Sequence, residues 1–239
     1  MHPSVRLRPV IMYMSVSSSI QEIVSSLPDG VKLVAVSKFR PLEQLREAYM
    51  AGQRDFAESR PQEFAAKVAA MEDDARLRGE PSGIRWHFIG HLQTNKLKYV
   101  LPYASMVHSI DTLHLLDAVQ RFAEASSLTV DVLLELHIGA EQTKQGFSPQ
   151  EALSLDLYSL AADHPNVRLR GLMGMASHTE DRARIEEDFA CIEQVFNQLR
   201  RRFPDLEYFD QLSAGMSDDW QIALRHGSTM VRIGSAIFL

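Results

Sequence analysis

The sequence predicts a single α/β domain, a (β/α)8 barrel, on three observations. Apolar, strand-like runs alternate with amphipathic helical runs from about residue 30 to the end, the pattern of a parallel sheet with crossover helices. Eight such runs occur with no long insertion between them, which favours a closed barrel over an open sheet. The chain has 239 residues, 45% hydrophobic and 23% charged, enough for one substantial core without a second domain.

Residues 1–13 contain Arg6 and Arg8 but only a short apolar patch, too little for a secretory signal, and read as an unstructured extension ahead of a domain spanning 14–239. Ser15–Leu27 reads as an extra helix before the barrel, and Met14 in front of it is a candidate biological start. Strands are expected at Lys32–Ser37, Arg54–Ala57, Trp86–Ile89, Met106–Ile110, Val130–Ile138, Arg170–Met175, Tyr208–Leu212 and Thr229–Ile233. Pro41 suits the first turn of the helix after the first strand, and Gly52 closes that helix. The clearest helix places Ile185, Phe189, Ile192, Phe196, Leu199 and Phe203 on one face. Ser177 with Glu180 ahead of it resembles a capping box, and Cys191 near its apolar face reads as a small core residue.

Composition excludes several classes of function. Acidic residues outnumber basic ones by 31 to 25 with no long basic run, so nucleic acid is not an expected partner. No stretch approaches the roughly 18 apolar residues of a membrane helix. Cys191 is the only cysteine, which rules out an internal disulfide and suits a reducing, cytoplasmic setting. His87 and His91 form the one close histidine pair of interest, without a third ligand at metal-binding spacing, so no metal is expected. Glu135 and His137 share a face of the fifth strand and read as a barrel-interior pair.

Two features carry chemistry. Side-chain alternation puts Lys38 on the face of Val34 and Val36, so if those valines fill the barrel, Lys38 points into its mouth. A lysine between apolar walls at a strand's carboxyl end can lose its proton and attack a carbonyl, although a strand-end lysine ordinarily just reaches solvent. The segments 212–219 and 232–235 follow the seventh and eighth strands, the usual phosphate site of such barrels. Their small residues let backbone N–H groups approach an anion, the hydroxyls of Ser213 and Ser235 add donors, and a helix starting near Ser217 adds its positive end. Asp218 and Asp219 are expected to favour that helix's first turn instead of binding metal. The spacing of lysine and cradle matches a phosphorylated pyridine.

On those residues the chain resembles the pyridoxal phosphate homeostasis proteins, the YggS/PROSC-type relatives of the amino-terminal TIM barrel of alanine racemase. The matching blocks are 33–38, Trp86-His87-Phe88-Ile89-Gly90-His91-Leu92-Gln93-Thr94-Asn95-Lys96, 169–173, Leu212-Ser213 with Gly215-Met216-Ser217-Asp218-Asp219, and 227–238, in one order from about residue 31 to the end. The resemblance implies pyridoxal 5′-phosphate as cofactor, carried as a Schiff base on Lys38, with Ser213, Gly215, Met216, Gly234 and Ser235 holding the phosphate and Arg232 near the pyridine nitrogen. An arginine there does not surrender a proton, which leaves the ring a poor electron sink and favours carrying over carbanion chemistry. Ser59 stands where relatives usually have asparagine and is expected to replace its polar contact with shorter reach, and His87 is expected to line the site.

The expected function is therefore vitamin B6 homeostasis, with pyridoxal phosphate-dependent enzymes as recipients, as a monomer or weak dimer and without robust turnover. An amino-acid racemase is the alternative on the same cofactor. The racemase to which the barrel is related draws a tyrosine from a second domain, and this chain stops soon after the eighth strand. A third reading is a cofactor-free enzyme acting on a phosphorylated metabolite, with Lys38 as an aldolase-like base.

Overall fold

The computed structural model describes residues 15–139 and 145–238. The extension expected at 1–13 and the start at Met14 lie outside these residues. Helix α1 (Val16–Ser26) precedes β1 (Lys32–Val36), followed by α2 (Leu42–Met50), β2 (Asp55–Glu58), α3 (Pro61–Arg78) and β3 (Arg85–Phe88). A 3-10 turn at Thr94–Lys96 leads into α4 (Leu97–Val100), then β4 (Ala104–Ile110), α5 (Leu113–Ala125) and β5 (Val130–Leu136). Next come α6 (Pro149–Ser154), α7 (Leu157–Asp163), β6 (Val167–Gly174), α8 (Arg182–Arg202), β7 (Gln211–Ser213), α9 (Trp220–Arg225) and β8 (Met230–Ile233). The eight strands are parallel, lie in sequence order, and close with β8 on β1. Among the described residues no helix is long and apolar enough to cross a membrane.

Period-two alternation divides each strand between two cores. Val34, Val36, Ala57, Met106, Leu133, Met173 and Met230 fill the inside of the barrel. Their neighbours, among them Leu33, Ala35, Phe56, Phe88, Val107 and Leu134, face the helices. The helices answer with one apolar face each: α8 buries Ile185, Phe189, Ile192, Phe196 and Leu199 at three- and four-residue spacing. Its basic last turn, Arg200 to Arg202, complements the helix dipole.

Local differences from expectation have local causes. Ser177 does not cap α8: its N–H and hydroxyl both donate to Asp188, at 2.8 and 2.6 Å, and Asp181 is the cap, accepting from the amides of Ala183 and Arg184. The seventh strand is shorter and later than 208–212, because the preceding backbone is spent on turns: Leu206 N–H donates to Phe203 and Phe209 N–H to Leu206. Pro41 sits just before α2, at its N-cap, where its missing N–H costs nothing. The chain after β7 turns before entering α9 at Trp220, so the helix expected near Ser217 starts three residues later and has only six residues.

Gly171 shows how tightly neighbouring strands meet. It follows a register shift of β6 against β5, has φ +146°, and a Cβ there would lie 1.8 Å from the Gln211 carbonyl oxygen on β7. We expect Gly171→Ala to lose about 3 kcal/mol or more, since backbone must move and an unfavourable φ must be held. Urea unfolding of the two proteins measures this, and a loss under about 1 kcal/mol would contradict so close an approach.

Candidate functional site

The carboxyl ends of the strands surround a cavity of about 560 Å³ lined by Lys38, Ser59, Met216, Arg232, Gly234 and Ser235 together with Val36, Ile89, Met173 and Ser217. Six of the residues singled out from sequence thus meet in one cavity. Ser213, Gly215 and His87 are not among its lining residues; all three are buried. Ser217, which the sequence reading did not single out, does line it.

Lys38 stands exposed just beyond the end of β1, whereas the sequence reading placed it between apolar walls. Its neighbours on both sides are fixed. Lys67, from α3, donates from Nζ to the Ser37 carbonyl at 2.7 Å and pairs with Glu58 at 2.8 Å and Glu63 at 2.7 Å. Glu63 in turn accepts from the Phe39 N–H at 2.9 Å. Phe39 has φ +63°, a conformation a phenylalanine takes only under constraint, and the Glu63 contact together with the Arg60 guanidinium 4.4 Å over its ring supplies that constraint. Glu58 is fully buried, which pushes its carboxyl up despite Lys67 and the 2.6 Å bond from the Ser37 hydroxyl, and its Oε2 has no partner among the described residues.

Arg232 forms the floor. It is 4% exposed and donates from Nη1 to the Ser213 carbonyl (2.7 Å) and hydroxyl (2.6 Å) and from Nη2 to the Gly174 carbonyl (3.0 Å). Among the described residues no carboxylate forms an ion pair with it. Burial lowers the guanidinium to about 10, against the pull of Asp219 and Glu135, so it stays protonated at neutral pH.

Below Arg232 a line of hydrogen bonds runs down the inside of the barrel. The Ser213 hydroxyl lies 3.0 Å from His108 Nδ1, His108 Nε2 lies 2.8 Å from His87 Nδ1, and His87 Nε2 lies 3.0 Å from Asp55, which also holds Arg85. Chemistry fixes the two ends of the line. Arginine only donates, so the Ser213 oxygen accepts from Arg232 at the mouth. A carboxylate only accepts, so His87 gives its Nε2 hydrogen to Asp55 at the other end. The charges agree with both ends. Burial, with His87 and Arg232 beside it, drives His108 well below the usual imidazole range. Burial would raise Asp55, but hydrogen bonds from His87 and Arg85 outweigh it and bring the carboxyl to about 2. His87 is thus placed inside this line instead of at the cavity wall, and Ser213 is committed to Arg232 and His108.

The loops after β7 and β8 present unused donors. The amides of Ser217, Asp218, Ser235 and Ala236 make no hydrogen bond among the described residues. The Met216 amide is already taken by Asp219 Oδ1 at 2.5 Å, and that of Gly234 by the Ser217 hydroxyl at 3.3 Å. Gly215 makes the first turn possible: φ is +93° and a Cβ would lie 2.8 Å from Trp220 Cα. Gly234 passes β1 so closely that its Cβ would lie 3.0 Å from the Val36 carbonyl oxygen. Asp219 stands at the N-cap of α9 with its side chain on the Met216 amide and makes no side-chain cap bond to the helix. A small cavity holding one flexible amine, one buried cation and two loops of free N–H groups suits an anionic, carbonyl-bearing ligand.

The family model for the N-terminal domain of alanine racemase matches residues 13–239. The pyridoxal phosphate homeostasis proteins of Aquifex aeolicus and Escherichia coli K12 are each 36% identical to this chain, over 87% of it and 86% of the relative, and over 88% and 86%. The structure of PipY from Synechococcus elongatus with pyridoxal phosphate bound superposes with a TM-score of 0.82 at 31% identity, covering 94% of this chain and all of that one. An alanine racemase of Clostridium difficile shares the fold, with a TM-score of 0.70 at 11% identity, over 94% of this chain and 56% of its own.

The hydrogen-bond line yields two expected outcomes. Nitrogen-15 NMR should find His108 neutral throughout the pH range in which the protein stays folded and the usual imidazole titrates; a His108 that titrates in that ordinary range would contradict its burial beside Arg232. Asp55 has a depressed pKa, so its contribution to stability is complete above the unfolded value of about 3.9 and is lost as pH falls towards 2. The stability difference between wild type and Asp55→Asn should accordingly be flat above about pH 5 and shrink below about pH 4.

Proposed function

The chain belongs to the family of the alanine racemase N-terminal domain, and from that premise we propose that it binds pyridoxal 5′-phosphate in the barrel mouth and serves vitamin B6 homeostasis. The observation that carries the reading is the pairing of Lys38 with a buried, carboxylate-free Arg232 across one cavity of about 560 Å³. Cofactor binding and homeostasis are what the relatives of known name and the PipY complex support; the covalent bond to Lys38 and the roles below are the finer proposal.

Pyridoxal phosphate supplies an aldehyde that bonds reversibly to amines and a ring that withdraws electrons. Lys38 Nζ is the amine of this chain that would bond the aldehyde carbon, its backbone pinned on both sides by Lys67 and Glu63. The free amides of Ser217, Asp218, Ser235 and Ala236, with the Ser217 and Ser235 hydroxyls, would hold the phosphate, while Gly215, Met216 and Gly234 shape the loops that present them. Ser59 borders the same cavity. Arg232 would face the ring nitrogen and keep its own protons, held in place by Ser213, His108 and His87. A ring nitrogen left unprotonated supports holding and releasing the cofactor better than stabilising a carbanion, which favours a carrier over a racemase. A cytoplasmic setting and hand-over to enzymes that need the cofactor belong to the same proposal.

Absorbance of protein loaded with pyridoxal phosphate, before and after borohydride, tests it. Wild type should show a band that borohydride fixes covalently on Lys38; Lys38→Ala should show neither band nor fixation. Arg232→Gln should weaken cofactor binding by about tenfold or more, as expected for losing a charge-assisted contact. Equal trapping on another lysine in Lys38→Ala would refute the assignment, and rapid amino-acid turnover by wild type would replace the carrier with the racemase.

A further inference from the structure

A second chamber, of about 230 Å³, opens beside the mouth and is lined by Glu135, His137, Ile138, Met175, His178 and Met216, among others. It shares Met175, His178 and Met216 with the larger cavity. Glu135 follows Leu133 by two residues on β5 and so points inward, and β5 lies opposite β1 in the closed ring of eight strands. The Glu135 side is therefore across the mouth from Lys38.

Glu135 is 6% exposed, yet its side chain makes no hydrogen bond or ion pair with any described residue. An unpaired carboxylate at such depth is costly, and the cost is relieved by taking up a proton or by a cation that enters the chamber. Arg232 is not that partner: the hydrogen bonds it makes go to Ser213 and Gly174, and it acts on Glu135 only through its field. A metal ion is a poor candidate, since the described residues hold no group of three or more ligating side chains. What satisfies a lone buried carboxylate between apolar walls is a compact cation with its own N–H donors and a short carbon chain.

We propose that this chamber is a subsite for a small primary amine, its ammonium on the Glu135 carboxylate and its carbon chain against Ile138, Met175 and Met216. The purpose of the subsite rests on the pyridoxal phosphate reading: an amine seated beside the cofactor is the class of molecule that removes it from Lys38. In that exchange the ammonium gives one proton to Glu135, and its nitrogen bonds the cofactor's aldehyde carbon. The bond from that carbon to Lys38 Nζ breaks, and the two remaining hydrogens of the incoming nitrogen pass to Nζ. Atoms and charge balance without a further reactant. Burial, and after it Asp111, raise Glu135 to about 7 while Arg232 opposes them, so the carboxyl is poised both to pair and to accept. Asp111 follows β4, Arg232 lies on β8, His178 follows β6 and His137 is on β5 itself; these are the charged and titratable groups around it.

The test uses the whole, cofactor-free protein with propylamine as probe and 1-propanol as its uncharged counterpart. Carboxyl carbon-13 NMR should show Glu135 titrating near 7 alone and at distinctly lower pH when propylamine saturates the protein. Calorimetry should show propylamine binding that weakens about tenfold or more in Glu135→Gln and is absent for propanol. An unmoved Glu135 titration, or equal affinity in Glu135→Gln, overturns the subsite. Pyridoxal phosphate is then added separately. Uptake of it by a protein whose Glu135 ignores the amine leaves the cofactor reading standing and removes the subsite; an amine held by Glu135 in a protein that takes up no pyridoxal phosphate does the reverse.

Discussion

The Arg232 guanidinium is buried where eight strands converge, and because no carboxylate among the described residues pairs with it, the fold stabilises its charge through neutral groups and hydrogen bonds. That constraint orders much of the interior. Ser213 must offer the guanidinium an oxygen, and behind Ser213 the hydrogen-bonded line runs on through His108 and His87 to Asp55. The carboxylates whose charge acts on the arginine, Asp219 and Glu135, do so without pairing with it, while Asp55 at the far end of the line is paired with Arg85. A carboxylate in contact would have quenched the cation at the mouth; this arrangement leaves it available to a ligand.

A similar economy governs Lys38. Its amine is exposed, while the peptide groups on either side are held by Lys67 and Glu63 from α3. Fixing the backbone while freeing the side chain lets one amine form and break a bond to a ligand without loosening the strand beneath it. The left-handed conformation at Phe39 is a measure of that hold, since it persists only where the surroundings compel it.

The sequence displayed much of this. Periodicity two put Val34, Val36 and Lys38 on one face, and the small residues after the last two strands marked the phosphate-type loops, because both features are local. What it did not display depends on long-range pairing. His108 stands two residues from Met106 and could have been placed inside the barrel by the same alternation, but its partners Ser213 and His87 are 105 and 21 residues away. Nothing in the sequence marks Asp55 and Arg85 as a pair; they meet only because β2 and β3 lie side by side. Ser213 looked like an anion donor because its neighbours in sequence are; only Arg232, arriving on β8, claims it. Boundary errors have a nearer origin: the backbone turns of 203–209 and the Asp188 hold on Ser177 compete with the strand and the cap that the residue pattern suggests.

The cation at the head of the hydrogen-bond line has a consequence for how a ligand finds the mouth. The whole molecule carries a formal charge of -6 and repels anions at long range. At the floor of the mouth the sign is opposite: Arg232 keeps its proton at neutral pH, no described carboxylate pairs with it, and four loop amides after β7 and β8 make no hydrogen bond among the described residues. An anion is therefore turned away by most of the surface and held only close to the opening, so selection rests on short-range capture and not on long-range steering.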